Sequence, residues 1–98
     1  MRDGWIVCYD IADPKRLASV GKTMKDFGAR LQFSVFHCEL SDVDVVRMRE
    51  RLRDLIDHAQ DRILFIRLGP VHQSGQLPGS VETMGKKPEL PDSEKLIF

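Results

Sequence analysis

Two short segments of this chain are apolar at both odd and even positions, and this feature constrains the fold more than any other. In residues 4–11, Ile6 and Cys8 stand at even positions and Val7 at an odd one, and all three are apolar. Residues 63–68 are likewise apolar at both odd and even positions. Short runs rich in β-branched and aromatic residues predict strands. A strand with one face in water would alternate apolar and polar residues, so we expect both faces of this sheet to be covered.

Two amphipathic helices are predicted between the strands. Asp13-Pro14 is typical of a helix start, with Asp as N-cap and Pro in the first turn, and Gly28 is the expected stop. Ser41 or Asp42 caps the second helix. Apolar residues recur at helical spacing as Leu17, Val20, Met24 and Phe27, and again as Val45, Met48, Leu52, Leu55 and Ala59, with Ile56 beside them. Helices can cover one face of a small sheet. A second copy of the sheet, packed face to face, is the simplest cover for the other.

The C-terminal third reads differently from the rest. Residues 69–80 are rich in Gly, Pro, Ser and Gln and predict a loop, and residues 80–84 predict a short strand. The chain closes on three apolar residues, 96–98, which have a reason to be apolar if they dock somewhere. We therefore expect a domain over residues 1–85, followed by residues 86–98 as a linker and a C-terminal strand that docks on the partner subunit.

Composition sets limits on the class of protein. The 98 residues suffice for one domain, and fifteen basic residues balance fifteen acidic ones, so net charge gives no argument for a nucleic-acid partner. Basic residues nevertheless outnumber acidic ones in residues 15–30, and a second basic cluster lies in residues 47–53. These clusters are interpreted either as two solvated helix faces or as a phosphate-binding surface. No apolar run reaches about 18 residues, so no membrane span is expected.

The two cysteines, Cys8 and Cys38, both lie in apolar runs without the spacing of a zinc site. We expect them to be reduced, buried thiols that act as small hydrophobic residues. Together with the lack of a signal-peptide pattern, this predicts a cytoplasmic location.

A recognisable set of residues follows from the first strand to the next: Tyr9-Asp10-Ile11, Asp13, Arg16, Gly28, Arg30, Gln32 and Ser34-Val35-Phe36. In order, spacing and chain length this set resembles the smaller, non-integrase CRISPR adaptation proteins, also described as a CRISPR-associated endoribonuclease family. The resemblance covers residues 4–68 and implies an α+β fold: a ferredoxin-like βαββαβ sandwich with an extra C-terminal strand, in a face-to-face dimer of sheets. That family has two strands where residues 30–40 predict one, and a bend near Ser34 would reconcile them.

Asp10 interrupts the first apolar strand near its end. From the residues alone, a structural carboxylate that bonds to the backbone at the strand-to-helix turn is the favoured interpretation, because an unpaired charge at a buried sheet edge is costly. The resemblance instead implies that Asp10 of each subunit faces its twin across the dimer axis. Two close carboxylates repel each other, and their hard oxygen atoms suit Mg²⁺ or Mn²⁺. On this hypothesis Asp10 is the catalytic and metal-binding residue of a phosphodiesterase.

Other residues are candidates for contacts with nucleic acid. Arg16 and Arg30 could bind phosphate oxygens in a bidentate manner. Tyr9 is either a core residue or a platform for base stacking, whereas Phe36 is expected in the core. Similar chains often carry a basic residue where this chain has Ser19.

Three functions are compatible with these features. The leading hypothesis is a CRISPR adaptation (spacer acquisition) protein, a homodimer that binds DNA or RNA and bridges copies of the adaptation integrase. A magnesium-dependent endonuclease that uses Asp10 is a second hypothesis and can coexist with the first. The alternative is a ferredoxin-like dimeric regulatory module that binds a small molecule at its dimer interface, which predicts a glycine-lined ligand pocket.

Overall fold

The computed structural model describes residues 1–88 of the chain. Its elements follow one another as β1 (Asp3–Asp10), α1 (Pro14–Met24), β2 (Gly28–Gln32), β3 (Val35–Leu40), α2 (Asp42–Leu55) and β4 (Arg62–Pro70). The strands form one antiparallel sheet in the order β2-β3-β1-β4. This is the predicted βαββαβ arrangement of a ferredoxin-like fold.

The two parities of β1 lie on opposite faces of the sheet, because successive side chains in a strand alternate. Val7 is fully buried and Tyr9 is nearly so, and both belong to the core between the sheet and the helices. Ile6 and Cys8 lie on the other face, which we call the open face. The register places Ile66 beside Ile6 and Leu64 beside Cys8 on that face. Both parities are apolar, as the sequence predicts, and the helices cover only one of them.

The start of α1 is as predicted, and its end is not. The Asp13 carboxylate accepts a hydrogen bond of 2.9 Å from the backbone N–H of Arg16. The helix ends at Met24, four residues before the predicted stop, and Gly28 instead opens β2. A Cβ atom on Gly28 would collide with the carbonyl oxygen of His37 and lie 2.6 Å from Cys38 Sγ. Glycine is therefore required here by the close approach of β3 and not by a helix cap.

Residues 30–40 do not form the single strand that their apolar pattern predicts. β2 ends at Gln32 and β3 begins at Val35, and the two pair directly across a turn made of Phe33 and Ser34. The bend near Ser34 implied by the resemblance is confirmed. The backbone N–H of Tyr9 donates a hydrogen bond of 3.0 Å to the Ser34 carbonyl, which ties the turn to the end of β1.

α2 begins with a capping box at its predicted N-cap. Ser41 accepts from the backbone N–H of Asp44, and the Asp44 carboxylate accepts from that of Ser41. Met48 and Leu52 lie in the core as predicted, whereas Ala59 lies beyond the helix end and is exposed. Neither α1 nor α2, the helices within residues 1–88, has the length and apolarity to cross a membrane.

The chain after β4 crosses part of the open face. The Glu39 carboxylate on β3 accepts hydrogen bonds of 2.7 Å from the Ser74 hydroxyl and from the backbone N–H of Gly75. The short strand predicted for residues 80–84 is not formed. Of the segment predicted to dock on a partner, residues 89–98 lie outside the described residues.

Candidate active site at the end of the first strand

Asp10 is the last residue of β1 and lies beside Arg62, the first residue of β4. It has the parity of Ile6 and Cys8, so it belongs to the open face. Its side chain is exposed and forms no hydrogen bond or ion pair with any residue in 1–88. The expectation of a costly buried charge is therefore wrong for the single subunit, and the carboxylate oxygens are available to a ligand.

The backbone-bonding role considered for Asp10 is taken by Asp61, immediately before β4. Its Oδ1 accepts from the backbone N–H of Ala12 at 2.9 Å, and its Oδ2 accepts from that of Asp57 at 2.8 Å. The Arg16 guanidinium donates to both oxygens, from Nε at 2.8 Å and from Nη2 at 3.2 Å. Asp61 thus fixes the loop that directly follows Asp10.

The contact between Arg16 and Asp61 is a partly buried ion pair. The Asp61 side chain has no exposed surface and the Arg16 side chain retains 27%. The hydrogen bonds from Arg16 hold the pKa of Asp61 well below its usual range, and the backbone N–H groups of Asp57 and Ala12 act in the same direction, whereas burial opposes them. The same pairing raises the pKa of Arg16. Both groups are charged at every pH at which the protein would work.

Arg16 is consequently committed to its own fold through Nε and Nη2, and the latter also lies 3.4 Å from the Gln60 amide oxygen. For the predicted phosphate contact, Arg16 retains only the part of its guanidinium that these hydrogen bonds do not use. Asp61 was missed from the sequence, where it reads as a polar residue before a strand. Its role follows only from the register, which places Asp10 opposite Arg62 and so brings Asp61 to the loop after β1.

Tyr9 lies in the core, with 7% of its surface exposed and its ring 6.1 Å from that of Phe36. Of the two predicted roles for Tyr9, this placement favours the core residue, and it leaves the ring without a free face for a base. Phe36 is fully buried as predicted. Arg30 is exposed, and its guanidinium carbon lies 5.2 Å from the centroid of the Phe36 ring.

The end of the open face nearest Asp10 is bare and apolar. Leu64 is 54% exposed and Ile66 is 48% exposed, although both are strand residues. Of the segment that follows β4, the described residues 71–88 reach the far end, where Ser74 and Gly75 donate hydrogen bonds to Glu39. Asp10 therefore lies at the rim of an apolar surface that residues 1–88 leave uncovered.

Within the part of the chain that the structure describes, no three His, Cys, Asp or Glu side chains are grouped so that they could hold a metal ion. At this position, residues 1–88 of one subunit thus supply Asp10 and no metal-binding cluster. Hard divalent cations take about six oxygen ligands, often with several water molecules. Mg²⁺ in proteins is usually held by one or two carboxylates together with water and substrate phosphates, so Asp10 is suited to supply one of its ligands.

A cavity of about 190 Å³ at the far end of the open face is the nearest match to the glycine-lined ligand pocket of the alternative hypothesis. Gly4, Gly69 and His37 are among the residues that line it, with the segment after β4. Pockets for small molecules usually measure roughly 300–1,000 Å³. This cavity is too small to favour the small-molecule module.

The comparisons with known proteins agree with one another. Residues 4–74 match the family model described as CRISPR associated protein Cas2. The chain is 40% identical to the CRISPR-associated endoribonuclease Cas2 1 of Rhodospirillum rubrum, covering 96% of this chain and 89% of the relative. It is 31% identical to the CRISPR-associated endonuclease Cas2 of Halalkalibacterium halodurans, covering 95% and 97%.

Solved structures show the same fold. A hypothetical protein of Thermus thermophilus superposes with a TM-score of 0.75 at 31% identity, covering 93% of this chain and all of that one. Cas2 of Streptococcus pyogenes superposes with a TM-score of 0.64 at 34% identity, covering 84% and 99%.

Proposed function

Because this chain belongs to the CRISPR-associated protein Cas2 family, we propose that it is a nucleic-acid-binding homodimer of CRISPR adaptation that cleaves phosphodiester bonds with Asp10 and a divalent metal ion. The observation that carries the proposal is the position of Asp10. It is an exposed carboxylate without a partner in residues 1–88, at the rim of an uncovered apolar sheet face.

The uncovered face supports the dimer. Leu64 and Ile66 are each about half exposed, and burial of a large aliphatic side chain contributes about 1.5–3 kcal/mol. A second copy packed on this face by a two-fold axis buries the same residues twice. Asp10 shares the face, and the family resemblance implies that the two-fold axis passes between the two Asp10 side chains.

The paired carboxylates account for the metal. Two like charges held close together repel, and a divalent cation between them removes that penalty. The Asp10 pair would hold Mg²⁺ or Mn²⁺ through carboxylate oxygens, with water completing the ligand set. When bound, the ion supplies charge stabilisation and an activated water molecule for phosphodiester hydrolysis. The protein's own contribution is the rigid loop that Arg16 and Asp61 fix behind Asp10.

Cleavage of labelled oligonucleotides tests the enzyme. Wild type and Asp10→Asn are compared with Mg²⁺, Mn²⁺ and EDTA on single-stranded RNA, single-stranded DNA and duplex DNA. Glu50→Gln, which neutralises an exposed acid on α2, is the matched control. We expect metal-dependent cleavage by wild type and Glu50→Gln, and none by Asp10→Asn. Equal cleavage by all three proteins would contradict the assignment, and the preferred oligonucleotide identifies the substrate.

We also propose that the dimer bridges copies of the adaptation integrase, as the family resemblance implies. The expected assembly holds one dimer between integrase subunits and forms without cleavage activity. Co-sedimentation of wild type and Asp10→Asn with an adaptation integrase from the same organism should therefore give the same complex. No complex with either protein would refute the bridging role and leave the nuclease proposal intact.

A further inference from the structure

Phe33 is a large aromatic side chain left in solvent at the tip of the turn between β2 and β3. Its exposure is 72%, although Phe36, three residues later, is fully buried. The guanidinium carbon of Arg30 lies 5.9 Å from the centroid of the Phe33 ring. This contact leaves most of the ring without a neighbour, so the ring can still stack on a planar group.

The groove beside Phe33 is basic. It runs along β2, an edge strand of the sheet, and its cationic residues include Lys25, Arg30 and Lys87; of the residues in 1–88 that line it, none is acidic. Within residues 1–88 none of these three side chains forms a salt bridge. Asp26, the acid next to Lys25 in the sequence, is held instead by Arg51 at 2.9 Å.

An exposed aromatic ring beside several cations fits one ligand chemistry especially well, namely a single nucleic-acid strand. Bases stack on aromatic side chains irrespective of sequence, and the flanking phosphates bind Lys and Arg. Bases inside a duplex already stack on each other, so only an unpaired base can use the ring. A hairpin turn also projects the ring beyond the sheet, where a strand can pass.

We propose that Phe33 is a stacking platform for an unpaired base, with Lys25, Arg30 and Lys87 as the phosphate-binding residues of the same subsite. The proposal rests on the proposed nucleic-acid function and adds a preference for single-stranded segments. The turn lies at the same end of the sheet as Asp10, because the Ser34 carbonyl accepts from the N–H of Tyr9. A nucleic-acid strand bound at Phe33 is therefore anchored at the end of the sheet that carries Asp10, the candidate cleavage site.

Binding of fluorescent oligonucleotides measures the subsite. Wild type, Phe33→Ala and Phe33→Trp are titrated against single-stranded RNA, single-stranded DNA of the same sequence, and a blunt duplex. Val43→Ala, which trims another exposed apolar residue on α2, is the matched control. We expect Phe33→Ala to weaken single-strand binding about tenfold and to leave duplex binding unchanged, whereas Phe33→Trp and Val43→Ala bind as wild type does. The better-bound single strand distinguishes RNA from DNA.

The salt dependence separates stacking from charge. Phe33→Ala should leave the slope of log affinity against log salt unchanged. Lys25→Gln should reduce that slope by about 0.7, the value for one phosphate contact on a single strand. A 2-aminopurine base in the oligonucleotide should be quenched by wild type and not by Phe33→Ala, because stacking causes the quenching.

Each other outcome overturns the proposal in its own way. If wild type binds neither single strands nor duplex, the proposed function fails and the subsite with it. If wild type binds single strands and Phe33→Ala binds them equally well, the subsite is wrong and the function stands. If Phe33→Ala converts the dimer to a monomer by sedimentation, Phe33 is a subunit contact and the stacking role is refuted.

Discussion

Arg16 Nε lies 2.8 Å from Asp61 Oδ2, and this contact joins α1 to the start of β4 across 45 residues of chain. Since Asp61 also accepts from the backbone N–H of Ala12, the pair holds the loop directly after Asp10. The position of Asp10, the candidate metal ligand, is thus set by a partly buried ion pair on the loop that follows it.

Loss of the Asp61 carboxylate should destabilise the protein clearly. In Asp61→Asn the amide oxygen replaces only one carboxylate oxygen, and the amide NH2 group that replaces the other cannot accept from the donors that face it. Arg16 also loses its charged partner. We expect the melting temperature at pH 7 to fall by several degrees. The control is Asp26→Asn, which breaks the Arg51–Asp26 pair, whose side chains are 48% and 60% exposed. Exposed ion pairs contribute little to stability. Equal falls in melting temperature for Asp61→Asn and Asp26→Asn would therefore contradict the stabilising role of the Arg16–Asp61 pair.

The same ion pair predicts a pH dependence of stability. The pKa of Asp61 is lowered in the folded state, and the ordinary value for Asp is about 3.9. The stabilisation is therefore fully present above about pH 4–5 and is lost as the pH falls below it. The difference in melting temperature between wild type and Asp61→Asn should narrow between pH 7 and pH 3. If this difference in melting temperature instead widens towards acid pH, the pKa of Asp61 is not lowered in the folded state and the prediction is wrong.

A charge on the open face should dissociate the dimer without unfolding the subunit. Ile66 is 48% exposed in the single chain, so a lysine at this position is tolerated there but would be buried unpaired between two sheets. We expect Ile66→Lys to sediment as a monomer at micromolar concentration. Val46→Lys, on the exposed side of α2 with 56% exposure, should sediment as wild type. A dimeric Ile66→Lys protein would place the interface elsewhere.

The two cysteines should report folding and dimerisation separately. Burial raises the pKa of the Cys38 thiol to about 12, and the thiolate is the reactive form. Cys38 should therefore resist alkylation at pH 8 until the protein unfolds. Cys8 is half buried on the open face beside Leu64, so it should be protected in the wild-type dimer and labelled in Ile66→Lys. Mass spectrometry of the alkylated peptides gives both readings, and rapid labelling of Cys38 in the folded protein would refute its burial.

Gly28 should be among the least replaceable residues of the sheet. A Cβ atom there collides with the His37 carbonyl and lies 2.6 Å from Cys38 Sγ, so β2 and β3 must separate. We expect Gly28→Ala to lower the free energy of unfolding by about 1–3 kcal/mol or more, measured by urea denaturation. Gly79→Ala is the control, because no heavy atom lies within 4 Å of its added Cβ. Equal urea midpoints for Gly28→Ala and Gly79→Ala would show that β2 can move away from β3 without loss of stability.

The order of elements could be predicted from the sequence because it depends on local signals. Asp13-Pro14 and the Ser41–Asp44 box start both helices where expected. The split at Phe33 and Ser34 could not, because this turn carries neither Gly nor Asn, and the hydrogen bond from Tyr9 that ties it to β1 is a tertiary contact. Gly28 was assigned to a helix stop because its real constraint, the approach of β3, is a tertiary contact.

The candidate site was predictable only in part. Asp10 stands out as an acid that ends an apolar strand, but its exposure follows from its place at the end of β1 and not from the apolar pattern. Arg16 looks like a free cation in the sequence, and only the register of β1 with β4 brings Asp61 to it. The role of Tyr9 depended on which face of β1 the helices cover. The helices cover the face that carries Tyr9, so its side chain lies in the core.

The central claim is that two Asp10 carboxylates face each other in the dimer and bind a divalent cation, and thermal melts test it most directly. Wild type and Asp10→Asn are melted with EDTA and with millimolar Mg²⁺ or Mn²⁺. The metal should raise the melting temperature of wild type by mass action, because it binds the folded dimer. Asp10→Asn should equal or exceed wild type in EDTA, since the repulsion is gone, and should not respond to metal. Equal metal-induced shifts in the two proteins would contradict the claim and remove Asp10 as the ligand.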